Sequence, residues 1–167
     1  TVTITGDKGG KLMITPYSPD VVKIFTLPQT LANANNDSAR ERRSISVVAT
    51  PNVSYSTTET DSEFLVKVSD GVTVSVNKST CYVSFLYDNN VILAENGGLI
   101  NNPGNRTVKF AAMHDDGFYG AGYNGKTTNI GGTSWKMHNT QTGGWNATWS
   151  APHNICIPYY LSTNGYG

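Results

Sequence analysis

Apolar and polar residues alternate in short runs along most of the chain. Residues 64–68 and 72–76 alternate most strictly, on either side of the turn sequence Ser69-Asp70-Gly71. This pattern predicts a β-hairpin with one apolar face, because successive side chains of a strand point to opposite sides. The valines expected on that face are Val66, Val68, Val72, Val74 and Val76.

Other short apolar runs predict further strands, separated by residues typical of turns. A second hairpin is expected across Asp88-Asn89-Asn90, and a turn at residues 16–20. The remaining predicted strands cover residues 1–5, 12–15, 21–27, 45–49, 81–87, 91–94, 107–113 and 154–161.

Strands about ten residues apart with turns between them predict an all-β fold, an antiparallel β-sandwich of two sheets. The length of 167 residues favours one domain covering 1–167. Residues 29–43 are the one segment with some helical character. Their apolar stripe is thin, and Asn33, Asn35 and Asn36 oppose a helix, so we interpret the segment as a long polar excursion between strands.

Charge and composition narrow the possible functions. Twelve basic and twelve acidic residues give a net charge of zero, so the composition gives no indication of a basic surface for nucleic acid or an anionic membrane. Charged residues make up 14% of the chain, against roughly 25% in ordinary soluble domains. No apolar run is long enough to span a bilayer. A surface built from Asn, Thr, Ser and Gly favours an exported protein over a cytoplasmic one.

The two cysteines, Cys81 and Cys156, have two interpretations. An oxidising compartment would permit a disulfide between them. Both nevertheless lie in apolar strand patterns, where a free cysteine behaves as a small buried hydrophobe. The pattern favours buried free thiols.

All three tryptophans lie between positions 135 and 149, together with Gly143-Gly144 and several amide side chains. Aromatic rings stack on the C–H faces of sugars, and amides bond to sugar hydroxyls, so this segment is a candidate carbohydrate contact. Alternatively, Trp135 and Trp149 cap the sandwich core. The substrate-contact candidates are Asn139, Gln141 and Trp145.

Other candidate chemistry is weak. Asp115-Asp116 could be a pair of catalytic carboxylates, but Asp-Asp-Gly is ordinary turn chemistry, and neighbours in an extended chain face opposite ways. The three histidines, His114, His138 and His153, match no metal-binding spacing. We expect neither a metal nor another cofactor, and no catalytic residue in this chain.

Three ordered segments resemble glycoside hydrolase family 31, the α-glucosidase and α-xylosidase family. The first, Leu12-Met-Ile-Thr-Pro-Tyr-Ser-Pro-Asp-Val-Val-Lys-Ile24, is similar to the first strand pair of the family's N-terminal domain. The second, Asp116-Gly-Phe-Tyr-Gly-Ala-Gly122, resembles its F-Y-G-x-G turn. The third contains Met137-His-Asn-Thr-Gln141, similar to Met-Trp-Asn-Thr-Asp, and Ile157-Pro-Tyr-Tyr-Leu-Ser-Thr-Asn-Gly-Tyr-Gly167, similar to I-P-F-Y-L-S-x-x-G-Y-G.

The resemblance implies a galactose-mutarotase-like supersandwich that precedes a catalytic (β/α)8 barrel. Both catalytic aspartates of the family lie in the barrel, which takes roughly 250 residues and does not fit in this chain. The resemblance also implies a loop over the barrel mouth, mapping to residues 138–150. The family's loop aspartate falls at Gln141 and its tryptophan at His138, so glucose specificity is not carried over.

We therefore expect a non-catalytic N-terminal domain of a family 31 glycosidase, whose partners are the parent enzyme's barrel and an oligosaccharide. The apolar strand so close to Gly167 leads us to expect that the native polypeptide continues. The face meant for the barrel should be an exposed apolar patch, through which the isolated chain associates with itself. A free-standing carbohydrate-binding module and a purely structural exported β-sandwich are the alternatives.

Overall fold

The computed structural model describes residues 1–6, 10–27, 47–97, 100–102, 105–112, 116–122, 128–134 and 156–167. Within these residues the regular structure is entirely β. The strands are β1 Val2–Thr5, β2 Lys11–Ser18, β3 Val21–Leu27, β4 Tyr55–Glu59, β5 Glu63–Val68, β6 Thr73–Asn77, β7 Val83–Tyr87, β8 Asn90–Glu95, β9 Ile100–Asn102, β10 Asn105–Thr107, β11 Phe110–Ala111, β12 Phe118–Gly122 and β13 Cys156–Ser162.

The chain divides into two compact units, Thr1–Ala111 and Ala112–Gly167. We call them the sandwich unit and the hairpin unit. The sandwich unit has a three-stranded sheet in the order β1-β2-β3 and a six-stranded sheet in the order β11-β8-β7-β6-β5-β4. Paired strands in both sheets are antiparallel. Strands β9 and β10 form a separate ribbon.

The core of the sandwich unit lies between its two sheets. Leu12 and Ile14 from β2 pack in one cluster with the inward side chains of the larger sheet, which are Val66, Val74, Val76 and Val83. Burying aliphatic side chains of this size stabilises a fold by about 1.5–3 kcal/mol each. The structure thus confirms the predicted antiparallel sandwich, and the five valines assigned to one face of the first hairpin are all buried.

Both predicted hairpins are present. The β5–β6 hairpin turns at Asp70, which has a positive φ of 54°. The β7–β8 hairpin turns at Asp88 and Asn89, with φ values of 47° and 62°. Two consecutive positive φ values define the mirror-image turn that matches the twist of paired strands, and Asp and Asn tolerate this conformation better than most residues.

Three predicted boundaries were wrong. Strand β2 runs through Pro16 to Ser18, so the turn at 16–20 is reduced to Pro19 and Asp20. Residues 47–49 of the strand predicted at 45–49 lie outside any strand, and Val48 is 87% exposed. The sequence predicted one strand over residues 107–113, but β10 ends at Thr107 and β11 covers only Phe110–Ala111. The intervening Lys109 carbonyl accepts a hydrogen bond from the Asn96 N–H.

The expectation of a buried Cys81 was also wrong. Cys81 is a free, exposed cysteine with a φ of 59°. It belongs to the turn after β6, where its N–H bonds to the carbonyl of Asn77, and β7 begins only at Val83. The side chain of Cys156 and the polar segment 29–43 lie outside the described residues.

Candidate functional site

The candidate sugar contacts Asn139, Gln141 and Trp145 lie outside the described residues, as do Trp135, Trp149 and His138. Their contact with substrate stays a prediction. The structure does describe the chain on both sides of residues 135–155, up to Ser134 and again from Cys156. Both flanks belong to the hairpin unit, whose geometry therefore bears on the candidate site.

The hairpin unit is built on β12 and β13, which pair antiparallel with Phe118 opposite Ser162 and Tyr119 opposite Leu161. The segment resembling an F-Y-G-x-G turn is therefore a strand, which corrects the expectation from sequence. It contains a bulge at Gly120, Ala121 and Gly122, with positive φ values of 128°, 64° and 85°. Such bulges bend a strand and need residues that tolerate positive φ.

Gly120 is required for a second reason. A Cβ atom at this position would lie 2.6 Å from the carbonyl oxygen of Tyr159. No real side chain fits at that distance from a backbone atom. The glycine therefore permits β12 to approach β13 closely at the bulge.

One face of the hairpin is apolar and exposed. The side chains of Ile157, Tyr159 and Leu161 alternate along β13 and are 50%, 51% and 50% exposed. Tyr119, the partner of Leu161 on β12, is 37% exposed. Because alternate residues share one side of a strand, these four form what we call the apolar face. The sequence predicted an exposed apolar patch without saying which residues form it.

The opposite face is more enclosed. Phe118 and Tyr160 meet edge to face, with ring centroids 5.6 Å apart, and Tyr160 meets Tyr166 in the same way at 6.4 Å. Edge-to-face contacts of this kind are a favoured geometry for aromatic pairs. The three rings hold the last residues of the described chain against the hairpin.

A polar cluster lies at the end of the hairpin. The Asp116 carboxylate accepts hydrogen bonds from the Ser162 hydroxyl at 2.6 Å and the Tyr166 hydroxyl at 3.1 Å. The side-chain amide of Asn164 donates a third bond to the same carboxylate. We call Asp116, Ser162, Asn164 and Tyr166 the Asp116 cluster.

The Asp116 carboxylate also influences nearby phenols. Partial burial raises the pKa of Tyr160 above its ordinary value, and the negative charge of Asp116 raises this pKa further. Burial likewise raises the pKa of Tyr166, with a smaller opposing effect from Ser162 and a further increase from Asp116. Both phenols are therefore protonated at neutral pH, and Tyr166 is able to donate to Asp116.

The cluster bears on the two interpretations of Asp115-Asp116. Asp115 lies outside the described residues. Asp116 accepts bonds from side chains 46 to 50 residues further along the chain, so it joins two distant segments of the hairpin unit. Sequence analysis missed this role. The only signal was the polar turn sequence Ser-Thr-Asn-Gly directly after an apolar strand.

The other edge of β12 holds the chain that leads into residues 135–155. The side-chain oxygen of Asn129 accepts the N–H groups of Phe118 and Gly131, at 3.0 Å and 2.9 Å. The Ile130 N–H bonds to the Phe118 carbonyl at 2.7 Å. The N–H and C=O groups of successive residues in a strand point to opposite edges. β12 therefore pairs with β13 along one edge and bonds to residues 129–131 along the other.

The described residues contain neither a metal-binding cluster nor a membrane-spanning helix. Among them, no three His, Cys, Asp or Glu side chains are grouped so that they could hold a metal ion. The same part of the chain contains no helix of the length and apolarity required to cross a bilayer.

Two antiparallel sheets with an apolar core between them define a β-sandwich domain. Residues 11–167 match the family model of the glycosyl hydrolase 31 N-terminal galactose mutarotase-like domain. The chain belongs to this family. A search of curated proteins found no match.

Two solved structures with the same fold are of one enzyme, the GH31 dextranase FjDex31A of Flavobacterium johnsoniae. The structure complexed with glucose has a TM-score of 0.75 and 18% sequence identity. A mutant complexed with isomaltotriose gives 0.74 and 18%. In both comparisons the match covers 98% of this chain and 21% of the dextranase chain. This chain therefore spans about one fifth of the length of these similar proteins.

Proposed function

We propose that this chain is the non-catalytic N-terminal domain of an exported family 31 glycosidase, whose catalytic (β/α)8 barrel hydrolyses O-glycosyl bonds. Family membership over residues 11–167 supports the proposal. The two carboxylates that flank a glycosidic bond during hydrolysis would lie in the barrel. A barrel takes roughly 250 residues, more than the 167 of this chain, so the chain alone hydrolyses no glycoside.

The observation that carries the proposal is the apolar face of the hairpin. Tyr119, Ile157, Tyr159 and Leu161 expose more than a third of their surface side by side on paired strands. Contiguous apolar patches on soluble domains typically mark interaction surfaces. In the parent enzyme this face packs against the barrel.

The substrate contact comes from residues 138–150, which reach over the barrel mouth. Trp145 stacks on a sugar ring, while Asn139 and Gln141 bond to its hydroxyls. The residues before this segment bond to β12, and the residues after it begin β13. This arrangement supports the proposal that the hairpin holds the segment in position. The substrate is an oligosaccharide, and the neutral Gln141 forms a weaker bond than a carboxylate would.

The first test compares this chain with a longer polypeptide that carries it. On aryl glycosides we expect turnover by the longer polypeptide and none by the chain alone. Reproducible hydrolysis by the isolated chain would contradict the proposal. Saturable binding of oligosaccharides by the isolated chain would instead favour a free-standing carbohydrate-binding module.

The second test addresses Trp145 in the longer polypeptide. The change Trp145→Ala should raise KM about threefold to tenfold, because a stacking contact contributes about 0.5–1.5 kcal/mol. Trp145→Phe is the matched control, since it keeps an aromatic plate, and it should stay close to the parent value. Unchanged KM and kcat in the alanine variant would favour a purely structural sandwich.

A further inference from the structure

The Asp116 cluster joins two distant parts of the chain through side chains. Asp116 precedes β12, whereas Ser162, Asn164 and Tyr166 lie at the end of β13 and in the turn that follows. One carboxylate thus accepts three side-chain bonds from these residues. Hydrogen bonds to an ionised acceptor are also roughly twice as strong as those between neutral groups.

Further hydrogen bonds join the same two parts of the chain. Gly117 and Thr163 bond twice, through the Thr163 N–H to the Gly117 carbonyl at 3.0 Å and the Gly117 N–H to the Thr163 hydroxyl at 2.9 Å. The turn is closed on itself by the Ser162 N–H, which bonds to the Tyr166 carbonyl at 2.7 Å. Asp116 therefore receives a preformed set of donors.

Several features of the proposed function depend on the position of this hairpin. β13 carries Ile157, Tyr159 and Leu161, and it begins where residues 135–155 end. β12 carries Tyr119 and holds residues 129–131 on its other edge. A change in the alignment of β12 and β13 would therefore move both the apolar face and the flanks of the tryptophan segment.

We propose that Asp116 is a positioning residue, which aligns β12 with β13 by holding the Ser162–Tyr166 turn against the start of β12. Asp116 itself does not contact the substrate. Its effect on hydrolysis rests on the proposed function, whereas its effect on the hairpin does not.

The test on the chain itself uses Asp116→Asn, which keeps the size of the side chain but removes the charge. Amide hydrogen exchange in β12 and β13 should become about tenfold faster or more, since local opening follows the loss of charge-assisted bonds. Spectrophotometric titration of the tyrosines should show that the pKa values of Tyr160 and Tyr166 fall. Asp88→Asn, at an exposed turn of the sandwich unit, is the matched control and should change neither measurement.

The test in the longer polypeptide is kinetic. Asp116→Asn should raise KM about fivefold to tenfold and change kcat less than about twofold, because substrate contacts are displaced while the chemistry in the barrel is not. Tyr166→Phe removes one donor and should give a smaller change in the same direction. It also serves as the test variant if Asp116→Asn fails to fold.

The outcomes separate the two proposals. Unchanged hydrogen exchange and tyrosine titration in Asp116→Asn would overturn the positioning role in the hairpin. Normal KM in a variant whose hairpin exchanges faster would overturn the effect of Asp116 on hydrolysis. If the unaltered longer polypeptide hydrolyses no glycoside, the proposed function fails. The exchange and titration measurements on the isolated chain would still decide the role of Asp116.

Discussion

The carboxylate of Glu95, the last residue of β8, is partly buried beside the start of β7. Its carboxylate accepts the N–H of Val83 at 2.8 Å, just beyond the last paired residues of β7 and β8, Ser84 and Ala94. Burial raises the pKa of Glu95 above its ordinary value of 4.5, and the bond from Val83 opposes this only in part. The charged form of Glu95 is therefore less favourable in the folded chain than in the unfolded chain.

This shift sets the pH dependence that Glu95 contributes. The folded chain holds the Glu95 proton more tightly, so stability falls as pH rises from about 4.5 through the higher folded pKa, and is flat above it. Glu95→Gln keeps an acceptor for Val83 without the charge. We expect it to be more stable than the parent at pH 7, with the difference shrinking below pH 4.5, in urea unfolding at several pH values.

The control for this prediction is Glu95→Ala, which leaves the Val83 N–H without its side-chain acceptor. It should be about 1–2 kcal/mol less stable than Glu95→Gln at pH 7 and below pH 4.5 alike, because neither variant titrates at this position. A glutamine variant that is less stable than the parent at pH 7 would show that the Val83 bond, rather than burial, dominates at this position.

At the scale of elements, two hairpins of different sheets meet in the sandwich unit. The Val72 N–H, after the β5–β6 turn, bonds to the carbonyl of Pro19 in the β2–β3 turn at 2.9 Å. Gly71 lies so close to Pro19 that an added Cβ would overlap the Pro19 carbonyl group. This bond helps to hold the sheets together at one end.

We therefore expect Gly71→Ala to destabilise the chain by about 3 kcal/mol, because the two backbones must separate and the Val72 bond is strained. Gly6→Ala is the matched control. Its added Cβ would meet nothing closer than the Gly10 carbonyl oxygen at 3.7 Å. Chemical denaturation of both variants checks the prediction, which is wrong if they unfold at the same denaturant concentration.

The β5–β6 hairpin was predicted well because its alternation directly reflects burial, and its five valines are all buried. β3 was predicted with its observed bounds from a continuous run of mostly apolar residues after a turn, although most of its side chains are only partly buried. β4 was missed because it is an edge strand, with all five residues exposed and no apolar face. Cys81 was misplaced because an apolar run continued into a turn fixed by Asn77, which no periodic pattern records.

The candidate site was predictable only in part. The resemblance of three segments to glycoside hydrolase family 31 indicated the family, and it showed that the last strand is important. The Asp116 cluster was not predictable, because its bonds connect residues 46 to 50 positions apart and the polar residues involved also suit ordinary turns. Long-range side-chain bonds of this kind follow from the fold rather than from any local pattern.

At the scale of the whole molecule, the apolar face predicts that the isolated chain associates with itself. Tyr159→Ser should weaken this association, because it removes a 51% exposed ring from the face. Tyr87→Ser removes a 48% exposed ring from the sandwich unit and is the matched control. Sedimentation velocity should show a shift toward monomer for the first variant alone. A parent chain that is monomeric at high concentration would contradict this prediction.

The central claim is that the hairpin face is covered by a catalytic barrel in the complete enzyme. Hydroxyl-radical footprinting tests it most directly, by comparing side-chain labelling in the isolated chain and in the longer polypeptide. We predict that Tyr119, Tyr159 and Leu161 are labelled in the isolated chain and protected in the longer polypeptide, while Tyr87 is labelled equally in both. Equal labelling of the apolar face in the two proteins would contradict the claim.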